Sequence, residues 1–184
     1  MNSFLEIPEI RHRVTSISVE QYHQLFAAGI IPEKTELLEG VIFDKMPKSP
    51  RHTKVVGNLF EILQRLFPMC FVIRKEEPLT ISDSEPEPEL ALVRGTREDI
   101  NDCHPSTAQL VIEVSFSTLT FDTAKKAIYA KAEIPEMWIV DVRNSQIIKY
   151  ENPLTVDYRM ESVFHLVDSI SIGENSVSVA DIFK

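Results

Sequence analysis

Cysteine, glycine and positive charge are scarce in this 184-residue chain, and long apolar runs are missing. The two cysteines, Cys70 and Cys103, lie far apart and form no C-x-x-C pair, which argues against a disulfide framework and a structural zinc site. Only five glycines occur, with no G-x-G-x-x-G or G-x-x-x-x-G-K, so a phosphate-cradling nucleotide loop is not expected. A serine hydrolase would need a G-x-S-x-G elbow, which is also missing. No apolar run approaches the ~20 residues that cross a bilayer. The first residues carry Glu6 and Glu9 where a secretory signal needs a basic flank and an apolar stretch, so the expected location is cytoplasmic. Nineteen basic side chains against 28 acidic ones give a net charge of −9. General attraction to a phosphate backbone is therefore missing. A nucleic-acid role has to rest on a local basic patch, or on metal ions that invert the charge of an acidic site.

What is present is an ordinary globular composition, 43 % hydrophobic and 26 % charged, in a length that suits one domain. The patterns divide residues 1–184 into a helical extension (1–30), a core (31–150) and C-terminal strands (151–184). Ser18 to Gly29 reads as a capped helix with Tyr22, Leu25 and Phe26 at helical spacing. Thr35 to Asp44 reads as two short strands around a Glu39-Gly40 turn. Ser49 caps a second helix with Pro50 at its first position, and its stripe of Val55, Val56, Leu59, Ile62, Leu63 and Leu66 ends before Pro68. Strands are expected at Phe71–Arg74, Leu79–Ile81, Leu90–Val93 and Leu110–Ser115. A helix over about Thr123–Glu133 and a hairpin of Met137–Val140 with Gln146–Tyr150 follow. From Val156 onward the chain alternates like edge strands and ends in a short segment around Asp181. Trp138 reads as core. The resulting fold class is α/β (α+β), a mixed β-sheet flanked by helices.

The chemistry sits in acids placed where sequence physics disfavours them. Glu113 interrupts the most apolar strand, and a buried carboxylate must be paired, neutralised or bound to a cation. Glu89 stands at the start of another strand, after the acidic, proline-rich run Ser84 to Pro88, although a solvated charge run is the usual meaning of such a cluster. Glu36 precedes Leu37-Leu38 in a third. If these strands are neighbours, the three acids converge, and such oxygen ligands suit Mg²⁺ or Mn²⁺. Beyond the Glu113 strand, Lys125, Tyr129 and Ala132 share a helix face, which can return Lys125 towards Glu113. The opposing reading makes Asp122, Lys125 and Lys126 ordinary helix-surface ion pairs. His12, His23, His104 and His165 show no metal-ligand spacing, and Asp102-Cys103-His104 carries no thiol–imidazole pair, since sequence neighbours rarely face each other.

Thr35-Glu-Leu-Leu-Glu-Gly40, Ser49-Pro-Arg-His52, Pro88-Glu-Leu-Ala-Leu-Val93, Val111-Ile-Glu-Val-Ser115, Asp122-x-x-Lys125-x-x-x-Tyr129-Ala130 and Ile134-Pro-Glu-Met-Trp-Ile-Val-Asp141 occur in that order. In this the chain resembles the Uma family of restriction-endonuclease-like proteins, within the PD-(D/E)XK nuclease superfamily. The likeness spans about Thr35 to Tyr150. It implies a restriction-endonuclease-like core and a metal-dependent endonuclease that hydrolyses DNA phosphodiester bonds with Mg²⁺ or Mn²⁺. By that likeness Glu89 and Glu113 hold the metal, Glu36 is the supporting acid, and Lys125 orients the attacking water, with Lys126 as its rival. Ser115 occupies the place of the superfamily lysine, and Uma-like sequences resemble a variant in which that cation has moved to the following helix. Two departures from the family stand out: Glu89 replaces the usual Asp, and Glu133 replaces a common Gly ahead of Ile134-Pro135, with the Asp122 to Lys125 interval one residue short. Arg51, Lys54 and Arg74 are candidate phosphate contacts. His52 is a further substrate-binding candidate, or else packs. A homodimer is expected by analogy with nucleases that cut two strands. The alternative reading is a nuclease-fold binding or assembly module without turnover.

Overall fold

A computed structural model describes residues 13–67 and 70–184. The expectations for residues 1–12, with Glu6, Glu9 and His12, and the helix-ending role of Pro68, lie outside the described residues. The first described helix, α1 (Val19–Ala27), begins at a capping box in which Ser18 and Gln21 satisfy each other's backbone N–H groups. Strands β1 (Thr35–Leu38) and β2 (Val41–Asp44) form an antiparallel hairpin. Its turn residues Glu39 and Gly40 both have positive φ, 49° and 74°, the geometry that suits the right-handed twist of a two-residue hairpin. Ser49 then caps α2 (Pro50–Leu66) with its hydroxyl on the His52 N–H.

The central sheet contains β3 (Phe71–Lys75), β4 (Leu90–Arg94), β5 (Leu110–Ser115), β6 (Glu136–Asp141), β7 (Gln146–Pro153) and β8 (Tyr158–His165), in that spatial order. Every pair is antiparallel except β5–β6. Parallel neighbours need a crossover, supplied by α3 (Leu119–Ala124) and α4 (Lys126–Lys131). Two small elements complete the chain: a hairpin of β9 (Ser169–Ile172) and β10 (Asn175–Ser178), and α5 (Val179–Phe183).

Side-chain alternation along the sheet divides the core. Leu110, Ile112 and Val114 of β5, with Trp138 and Val140 of β6, pack against the apolar stripe of α2 and against Ile182 of α5. Val111, Met137 and Ile139 face the other way, towards Ile128 and Tyr129 of α4. Glu113 belongs to this second row. It is the polar end of an apolar ladder, aimed at α4.

Two elements differ from the sequence expectation. Leu79–Ile81 is no strand of the sheet: Ile81 and Ser84 exchange backbone hydrogen bonds across a turn with Ser82 at φ 52°, and the Leu79 and Thr80 N–H groups donate to the Pro86 and Pro105 carbonyls, so its backbone is satisfied by loops. The helix expected over Thr123–Glu133 is two short helices that meet at Lys125. The Thr123 hydroxyl donates to the Leu119 carbonyl at 2.6 Å, a side-chain bond that competes with the backbone ladder.

Candidate active site

Backbone register brings the acids together. Leu90 pairs with Ile112 in the antiparallel β4–β5 ladder, so the preceding residue, Glu89, falls across from Glu113. The Val114 N–H donates to Glu89 Oε2 at 2.9 Å, and His52 Nε2 lies 3.2 Å from Glu89 Oε1. The acidic run before β4 is held in place, not solvated. Leu37 of β1 bridges to Glu85, which is buried against His23 and Thr80, and Glu87 pairs with Lys45. The Glu87 N–H donates to Glu36 Oε2 at 3.3 Å, which ties the hairpin acid to the start of β4.

Lys125 closes the group. Its ammonium lies 2.9 Å from Glu36 Oε2 and 3.3 Å from Glu113 Oε1, and the Tyr129 hydroxyl donates to the same Glu113 oxygen at 2.6 Å. Glu36, Glu113 and Lys125 are only 3, 1 and 4 % exposed. This is no helix-surface pair. Lys126, the rival cation, points to Asp157 at 2.7 Å and over the Tyr150 ring, away from the acids.

Burial sets the electrostatics. Loss of water pushes the Glu113 carboxyl well above the ordinary range, and Glu89, Asp122 and Glu36 add to this against the opposing pull of Lys125. Burial would raise Glu89 too. His52, the hydrogen-bonding Glu113 carboxyl and the Val114 N–H outweigh it and bring Glu89 down to about 2. Of the two neighbouring carboxyls, Glu89 is thus the one that favours its charge and Glu113 the one that favours its proton. Desolvation works to lower Lys125, but Glu113 and Glu36 reverse the shift and hold it firmly cationic. Asp122, buried with Thr118 donating to it at 2.6 Å, is raised by burial.

These groups lie at the floor of a cavity of about 430 Å³, with walls from the β2–α2 loop and the β5–α3 turn. Glu36, Glu89, His52 and Lys125 line it; Glu113, in contact with Lys125, lies behind this lining, and Arg51, Lys54 and Arg74 do not line it. Arg51 is exposed and donates to Ser145, Lys54 is exposed on α2, and Arg74 is buried against Glu77, Pro78 and His104. The sequence reading passed over Lys45, Lys48, Phe116 and Phe121, which line the walls, and Asp122 as a site acid. Asp122-Thr-Ala-Lys125 was legible as a helix turn, but no periodicity flags loop residues such as Lys45 and Lys48.

Among the described residues no group of three or more His, Cys, Asp or Glu side chains is arranged to hold a metal ion. The donor chemistry nevertheless fits a hard cation. Glu89 and Glu113 stand across from each other on neighbouring strands, and Mg²⁺ commonly takes one or two carboxylates with water and phosphate completing its shell.

A mixed sheet flanked by helices, with acids and a lysine gathered at one end of its central strands, is a nuclease fold. The chain belongs to the family described as "Uma2: Putative restriction endonuclease", whose model matches residues 19–176. Its fold is similar to the crystal structure of a "putative nuclease belonging to DUF820" from Anabaena variabilis ATCC 29413. The TM-score is 0.73 at 16 % identity, over 91 % of this chain and 97 % of that one. No curated protein matches. No helix of the described residues is long and apolar enough to cross a membrane.

Proposed function

We propose that this protein is a divalent-metal-dependent endonuclease that hydrolyses DNA phosphodiester bonds. The observation that carries the reading is the meeting of Glu36, Glu89 and Glu113, from three separate segments, beside the ammonium of Lys125, with Glu36, Glu89 and Lys125 lining one cleft and Glu113 just behind it. Glu89 and Glu113 would hold Mg²⁺ or Mn²⁺. When bound, the cation supplies Lewis-acid polarisation of the phosphodiester and offsets its charge.

The chain's own groups divide the remaining work. Lys125, held cationic by its two acids, acts through charge and hydrogen bonding and not as a base. It orients the attacking water and stabilises the phosphorane-like charge. Glu36 aims that ammonium, which is the supporting role. Tyr129 fixes the rotamer of Glu113 through its hydroxyl, and His52 with the Val114 N–H fixes Glu89. A second reading, a nuclease-fold binding module without turnover, draws on Glu36 being engaged by Lys125, which leaves two acids for a metal.

Incubation of supercoiled plasmid with pure protein and Mn²⁺ separates the two. The nuclease reading expects nicking by the native protein that chelation stops and Glu113→Gln abolishes. Equal cleavage by both proteins, or no cleavage by the native protein of either the plasmid or a single-stranded DNA circle, overturns it.

A further inference from the structure

The walls of the cleft carry chemistry that the carboxylate floor does not need. Phe116, just after β5, is 37 % exposed at one lip, with the Arg143 guanidinium over its ring at 5.8 Å. On the other side Phe121 lies under the Lys125 ammonium at 5.4 Å and meets Phe43 edge-on at 5.5 Å. Phe43, which abuts Phe121 from outside the cavity lining, is also 37 % exposed, and Met46 on the cavity wall is 63 % exposed. A buried floor with aromatic lips is an expensive surface to leave in water unless something apolar and flat covers it.

Duplex DNA does not fit this cleft in charge or depth. Duplex affinity comes from several lysines and arginines that each neutralise a phosphate. Here the cations on the cavity walls are already paired, Lys45 with Glu87 and Lys48 with Glu76, on a chain of net charge −9. The reacting groups are almost fully buried beneath the lips, in a volume within the usual range of small-ligand pockets. A rigid duplex presents its phosphates on a broad outer surface, whereas a flexible single strand can bring one phosphate down between the lips and lay its bases on aromatic faces.

We propose that the cleft takes single-stranded DNA, with unstacked bases resting on Phe116 and on the Phe43–Phe121 pair while the intervening phosphate reaches the carboxylate floor. This rests on the nuclease reading and names its substrate class. Stacking on these rings supplies affinity that a duplex, whose bases are already stacked on one another, cannot draw on.

Fluorescence anisotropy in Ca²⁺ tests it, with a labelled oligothymidylate, an abasic single strand of the same length, and a duplex. The thymidylate strand is expected to bind roughly tenfold or more tighter than either competitor, the scale of one stacked base. Phe116→Ala and Phe43→Ala lose roughly that tenfold, and Phe116→Trp retains it. Both phenylalanines are exposed, and thermal melts confirm that the variants fold. Duplex or abasic strand binding as tightly as thymidylate, no binding of single strands, or alanine variants that bind like the native chain would each overturn the proposal. Hydrolysis of bis(p-nitrophenyl) phosphate with Mn²⁺ reads the chemistry without any base. Its failure would remove the nuclease reading, and anisotropy would still decide the strand preference.

Discussion

Glu113→Gln is expected to make the metal-free protein more stable at alkaline pH while abolishing cleavage. Glu113 is 1 % exposed, and its folded-state carboxyl is raised well above the ordinary 4.5 by burial and by Glu89, Asp122 and Glu36. Above that ordinary value the unfolded chain has released a proton that the folded chain keeps, so the native state becomes less stable as pH rises through this window. An amide at this position keeps the geometry. Its oxygen accepts from Tyr129 and Lys125, and its N–H₂ donates to Glu89, as the protonated acid does. Replacing a buried ionisable group by a permanently neutral one of the same shape is worth about 1–2 kcal/mol, towards the lower end of what buried ionic groups give. For a chain of this size that is about 2–8 °C in Tm. Thermal unfolding in EDTA, followed by circular dichroism at pH 8 and again at pH 4, reads it directly. The gain at pH 8 should vanish at pH 4, where both states of the native protein hold the proton. A native protein that melts above the variant at pH 8, or a difference that persists unchanged at pH 4, would refute the reasoning about the Glu113 proton.

Lys125→Met leaves Glu36 buried without its cation and Glu113 without one of its hydrogen-bond donors, and breaking such a pair costs about 3–5 kcal/mol. The melt in EDTA should fall by about 6–20 °C at pH 7 and by much less at pH 4. A loss independent of pH would point to packing instead. Gly40→Ala places a Cβ 2.4 Å from Ser16 Cβ and 3.2 Å from the Ile17 carbonyl, at φ 74°. With the left-handed penalty, a loss of about 2 kcal/mol is expected in urea unfolding. A melt unchanged from native would show that residues 16–17 do not pack on the hairpin. Tyr129→Phe deletes the 2.6 Å bond to Glu113 and should cost about 1 kcal/mol in the same assay, with a drop in cleavage rate larger than any change in substrate affinity.

Much of the core was legible because its signals are local. The Ser18 and Ser49 caps, the α2 stripe and the Glu39-Gly40 turn each use residues within a few positions of one another, and all three lie where the pattern puts them. Glu113 announced itself by interrupting an apolar strand, since only an unusual partner makes a carboxylate tolerable there. Glu89 was harder. Its run reads as solvated charge, and only the long-range bridge from Leu37 to Glu85 and the β4–β5 register turn that run inward. Arg74 misled for the opposite reason: a strand arginine near acids looks available to phosphate, yet Glu77, Pro78 and His104 enclose it. The aromatic lips were illegible because Phe43, Phe116 and Phe121 sit in segments with no shared period, and only folding places them around one cleft.

The account turns on a cation taking the place of the proton between Glu89 and Glu113. Calorimetric titration of Mn²⁺ into the protein at pH 7, in two buffers of different ionisation enthalpy, measures that exchange. One site per chain should bind with release of protons to the buffer, and Glu113→Gln should abolish the release and weaken binding strongly. Absence of binding at millimolar Mn²⁺, or binding that proceeds unchanged in the variant, would contradict it.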